Sequence, residues 1–169
     1  KVQNVNYFVW GRTIEKNNII NGETVEVECL SCALTNGLVE PEGGVVIETE
    51  YFHAHQDVAY QSEVNNFSFK SLDDLTSSER LDYIDVLAKI RKAQRTALGI
   101  EHVYYFYNED TTHHFHTWMV PRYEWMYNFG RSVESVRPVL LHARNEMNTK
   151  ENIKEVKEAI NILTKELNE

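Results

Sequence analysis

The chain has 169 residues, 42% of them hydrophobic and 25% charged, which suits one folded domain with a buried core and excludes disordered and fibrous classes. A formal net charge of −9 at pH 7 argues against general binding to a nucleic-acid backbone, which needs lysines and arginines to displace counterions. It leaves room for a small phosphate ligand, because a few local donors override the global field.

Residues 1–28 are polar, with β-prone pieces "NYFVWGRTI" and "TVEVE" and a tight-turn signal at Asn21-Gly22; they read as an N-terminal arm or hairpin. After the turn from Pro41 to Gly44, "GGVVIETEYFHAHQD" reads as two short strands broken near Glu48–Glu50. A long helix follows. Thr76 with Glu79 forms a capping box, Tyr83, Leu87, Ile90, Ala93 and Ala97 make one apolar stripe, and Gly99 is the stop. "HVYYFYN" and "HFHTWMV" are aromatic and β-branched enough to read as paired strands. "SVESVRPVLLHARNEM" reads as a helix with Pro138 in its first turn. From Asn148 onward, Ile153, Val156, Ile160, Leu163 and Leu167 form an amphipathic stripe, read as packing on the sheet or on a dimer partner. The class is therefore α+β.

No apolar run approaches the roughly 20 residues of a membrane helix, and no charged segment followed by an apolar one marks a signal peptide. The expectation is a cytoplasmic protein with no membrane role. The only cysteines are Cys29 and Cys32. In that setting a C-x-x-C pair suits metal binding or thiol redox chemistry better than a structural staple.

The densest chemistry lies in "HHFHTWMVPR", residues 113–122, which holds three of the seven histidines. Side chains alternate along a strand, so His114, His116 and Trp118 share one face, with His113, Phe115, Thr117 and Met119 on the other. Two imidazoles on one face supply a nucleophile or base with a neighbour that tunes it. The same H-x-H pair also suits metal chelation, or two half-buried residues without a role.

"HFHTWMVPR" resembles the histidine-triad motif of the HIT superfamily, H-x-H-x-H followed by apolar residues and, in one branch, Pro-Arg. "CLSCALTNG" is similar to the opening of many bacterial HIT proteins. "GGVVIETEYFHAHQD" and "SFKSLDDLTSSE" resemble the strand pair and the lead into the family's long helix, in the same order, over about residues 29–125. The chain is thus similar to a bacterial-type HIT protein whose third triad histidine is replaced by Trp118.

The resemblance implies a HIT-like fold: an antiparallel sheet of about five strands with a long helix, here followed by C-terminal helices. It divides the chain into an arm (1–28), a HIT-like domain (29–125) and a helical extension packed on it (126–169). It implies a nucleotide-binding hydrolase that cleaves a nucleoside phosphate conjugate, a dinucleoside polyphosphate or nucleoside phosphoramidate, through a nucleotidyl-histidine. A catalytically weak nucleotide-binding or nucleotidyltransferase-like module is the alternative, and a homodimer is expected. His116 matches the nucleophile and His114 the first triad histidine. Asp57 falls where the family holds the ribose hydroxyls, and Asn108 and Thr111 where it places phosphate donors. Arg122 is read as a phosphate contact or a surface salt bridge.

Two departures bear on the chemistry. Indole donates a hydrogen bond but cannot shuttle a proton, so Trp118 offers a phosphate contact without general-acid help. Catalysis is expected to need no cofactor. The resemblance raises a structural zinc on Cys29, Cys32 and His114, but Ser68 stands where the family has a further histidine, leaving His53 or His55 for the fourth ligand or for the nucleotide pocket. The segment "SEVNNFSFKS" is short and lacks the family's Gly-rich strand near the phosphate.

Overall fold

The computed structural model describes residues 7–9, 12–18, 24–27, 33, 38, 44–58, 61–66, 71–109 and 115–169; for 7–27, 56–58 and 61–66 it describes strand placement only. The polar N-terminal region contains three short strands, β1 (Tyr7–Val9), β2 (Arg12–Asn18) and β3 (Thr24–Val27), antiparallel in the order β1-β2-β3. A three-stranded meander thus extends the expected arm or hairpin.

Gly44, at φ 77°, makes the turn into β4 (Val45–Glu48), which pairs with β5 (His53–Val58). The break between them is held by Thr49. Its N–H donates to the Phe52 carbonyl at 2.8 Å, and its hydroxyl accepts the Phe52 N–H at 3.0 Å. The two short strands therefore form as expected. Gln61–Asn66 forms β6, which was expected to be missing. It contains no glycine and little β propensity, yet it pairs with a neighbour on both sides; the ladder outweighs local preference.

The long helix α1 (Ser77–Thr96) starts at the expected box. The Glu79 N–H donates to the Thr76 hydroxyl at 3.3 Å, and the Thr76 N–H donates to the Glu79 carboxylate at 2.7 Å. Its buried stripe is Tyr83, Val86, Ile90 and Ala93. Val86 takes the central place expected for Leu87, which is half-buried at the core margin. Gly99, at φ 65°, ends the turn, and the Ile100 N–H donates to the Gln94 carbonyl at 3.0 Å.

Strands β7 (Val103–Tyr107) and β8 (Phe115–Pro121) pair antiparallel, Tyr105 opposite Met119. The five-stranded sheet has the order β4-β5-β6-β8-β7, so β8 is interior and β7 lies at an edge. α1 packs on one face through Phe52, Ala54, Leu75, Tyr83, Val86, Ile90, Phe115 and Met119. The Tyr83 and Phe115 rings meet edge-on at 5.2 Å. Full burial of such side chains stabilises by about 1.5–3 kcal/mol each, which pins α1 to the back of the histidine strand.

A short 3-10 helix, Glu124–Phe129, leads to α2 (Val136–Glu146), where Pro138 occupies the tolerated first turn, and then to α3 (Lys150–Asn168). Val156, Ile160 and Leu163 of α3 pack with Ala93 of α1 and Val46 of β4. The terminal stripe is therefore internal packing. No described helix is long and apolar enough to cross a membrane.

Candidate functional site

Thr117 faces α1, where its hydroxyl lies 2.7 Å from that of Tyr83. Alternation then turns His116 and Trp118 to the opposite face. Their rings lie 5.5 Å apart, tilted by 50°. His116 is buried, at 6% exposure. Trp118 is half-buried, and its indole nitrogen is shielded from solvent with no hydrogen-bond partner among the described residues.

The sheet register extends this face. His53 of β5 pairs with Asn65 of β6, which pairs with His116. One row on, His55 pairs with Glu63, Glu63 with Trp118, and Trp118 with Phe106. Directly paired residues lie on one face, so His53 and His55 share the side of His116 and Trp118, two strand spacings or about 10 Å away. The rings of His53 and His55 stack at 5.6 Å. Burial, reinforced by the neighbouring His55, lowers the His53 pKa to about 4, so its imidazole is neutral at physiological pH. Sequence spacing put His53 and His55 together; their approach to His116 depends on β6.

The turn after β7 is anchored by a residue that sequence reading missed. The Glu109 carboxylate accepts hydrogen bonds from the Tyr107 hydroxyl and, at 2.9 Å, from Ser71. The Tyr107 bond is the main cause holding this carboxyl below its usual pKa. Asn108 is exposed beside it. No local pattern distinguishes Glu109 from ordinary turn chemistry, because Ser71 lies 38 positions away.

Arg122 does not make the surface salt bridge that was one of its two expected roles. It is 5% exposed, neither at the surface nor in a salt bridge among the described residues. Its guanidinium lies 4.6 Å from the Tyr104 ring centre and 5.3 Å from that of Tyr127. It donates to the carbonyls of Met126, at 3.4 Å, and Gly130, at 3.1 Å. Six residues along an extended strand put it about 20 Å from His116, beyond its own side-chain reach. Arg122 holds the 3-10 segment onto the end of the sheet.

Asp57 lies on β5 within the register irregularity between Gln56 and Val58. His114, Thr111, Cys29 and Cys32 lie outside the described residues. Among the described residues, no group of three His, Cys, Asp or Glu side chains is placed to hold a metal ion.

No protein-family model matches the chain, and no curated protein sequence does. Solved structures do match. One is a hypothetical histidine triad nucleotide-binding protein from Sulfolobus tokodaii, at a TM-score of 0.55 and 15% identity, covering 83% of this chain and 92% of that one. Another is a HIT family protein from Bacillus anthracis, at a TM-score of 0.50 and 21% identity, covering 79% of this chain and 94% of that one. At such identities the likeness speaks to architecture. Together with the antiparallel five-stranded sheet and its long helix, it shows that this chain has the HIT-like fold.

Proposed function

We propose that this protein binds nucleotides and hydrolyses a nucleoside phosphate conjugate through a nucleotidyl-His116 intermediate. The observation that carries the reading is the pairing of His116 with Trp118, whose indole N–H has no partner among the described residues, on the sheet face away from α1. A ring nitrogen of His116 attacks the nucleotide phosphorus through its lone pair. The bond from phosphorus to the leaving group breaks, and the leaving group departs with the electron pair. Water then attacks the nucleotidyl-histidine, releasing the nucleoside monophosphate and restoring the imidazole. The Trp118 N–H donates to a phosphate oxygen as charge builds there. Asp57 binds the ribose hydroxyls, with His114, Asn108 and Thr111 around the phosphates.

Trp118 cannot protonate a leaving group. A phosphate leaving group departs as a stable anion, whereas an amine needs a proton. This favours a dinucleoside polyphosphate over a nucleoside phosphoramidate. The same residue supports the second reading, a nucleotide-binding module with little turnover.

The experiment is turnover of diadenosine polyphosphate and adenosine phosphoramidate by wild type and His116→Asn, beside calorimetry with AMP and GMP. Loss of turnover and of the trapped nucleotidyl-enzyme in the variant is expected, and full activity there would overturn the mechanism. AMP binding without turnover in wild type selects the second reading.

A homodimer belongs to this proposal. The edge position of β7 supports it, with Tyr105 46% exposed there and Leu81 and Ile84 of α1 75% and 61% exposed. Sedimentation at micromolar concentration checks it. A structural zinc on Cys29, Cys32 and His114 rests on the C-x-x-C spacing, and metal analysis with thiol modification tests it.

A further inference from the structure

A second concavity lies away from the histidines, where the end of α1, the chain leaving β8 and helix α3 meet. Its volume is about 380 Å³, within the range of small-molecule sites. Ile100, Trp125, Val156 and Ile160 give it mainly apolar walls. Gln94 also lines it, at 1% exposure, and the side-chain oxygen has no hydrogen-bond partner among the described residues. Buried carboxamides are normally satisfied, so an unpaired acceptor in an apolar cavity marks a place for a donor. Glu155 is the charged residue among those that line it, and no described lysine or arginine lines the cavity.

We propose that this cavity binds a small, apolar, uncharged or cationic molecule through a hydrogen bond from its N–H or O–H group to Gln94. The apolar body fills the space between Trp125 and α3. Glu155 disfavours carboxylates and phosphates, which separates this ligand class from nucleotides. Pro121, which also lines the cavity, stands five residues beyond His116, about 17 Å along β8, so the two sites are distinct.

Indole and benzofuran test the proposal in the unmodified protein, because they have nearly the same shape and only indole donates. The readout is saturable shifts of the Trp125 indole N–H and the Gln94 amide in ¹H–¹⁵N spectra. Indole is expected to bind about fivefold more tightly than benzofuran, the ratio for one hydrogen bond. Indole-3-acetate is expected to bind more weakly than indole. Gln94→Met should bring indole and benzofuran within about twofold of each other, and Ala159→Phe, which fills the cavity, should abolish both. Equal binding of indole and benzofuran to wild type would overturn the recognition by Gln94. Tighter binding of indole-3-acetate would overturn the charge selection. Absence of saturable shifts would show a water-filled cavity only, and shifts that survive Ala159→Phe would place the ligand elsewhere and overturn the site.

Discussion

Tyr83 of α1 and Thr117 of β8 share a buried hydrogen bond of 2.7 Å, 34 positions apart in the chain. This contact ties the parity of the histidine strand to the helix behind it. With Thr117 held inward, His116 and Trp118 must face outward, and a one-residue slip would turn both into the core.

The pair makes a double-mutant test. Tyr83→Phe and Thr117→Val should each destabilise by about 1–3 kcal/mol, since each leaves a buried hydroxyl unpaired. The double variant should cost less than the sum of the two. Urea unfolding of the four proteins measures this, and strict additivity would show that the bond does not couple the elements.

Trp118 is predicted to act through its N–H. Trp118→Phe should lower kcat by about 10²–10³-fold, the usual effect of removing one preorganised donor. Trp118→His should raise the turnover of adenosine phosphoramidate relative to diadenosine polyphosphate, because imidazole can protonate an amine. Steady-state kinetics with both substrates reads the ratio, and an unchanged ratio counts against the leaving-group argument.

Arg122 is predicted to serve stability. Arg122→Ala should cost about 2–4 kcal/mol through the lost ring contacts and carbonyl bonds, while leaving the AMP dissociation constant within about twofold. Thermal unfolding and calorimetry on one sample check both. A large loss of affinity in a well-folded variant would instead support the phosphate contact.

His53 gives the fold a pH dependence. Its pKa in the folded protein, about 4, lies below the ordinary 6.5. Between these values the unfolded chain binds a proton that the folded one does not, so this group lowers stability as pH falls from 6.5 toward 4. His53→Gln should flatten that part of the stability curve in metal-free buffer. Chemical denaturation at half-unit pH steps measures the slope, with His55→Gln as the control for the neighbouring imidazole.

The local pattern of residues determined much of this protein. Thr76 and Glu79 announced α1, the aromatic run at 103–107 announced a strand, and alternation put His116 beside Trp118. Each is a short-range consequence of backbone geometry, carried by residues close in the chain. Only the tertiary structure decided the rest. Strand β6 inserts between β5 and β8 because long-range ladders outweigh its weak β propensity, and this sets His53 and His55 in rows with His116 and Trp118. Arg122 is interior because Tyr104 and Tyr127, from separate elements, supply aromatic faces, and two backbone carbonyls accept from one of its guanidinium nitrogens. Gln94 belongs to the apolar cavity because α3 folds back across the end of α1. These placements join distant parts of the chain through packing and hydrogen bonding, which no local periodicity encodes.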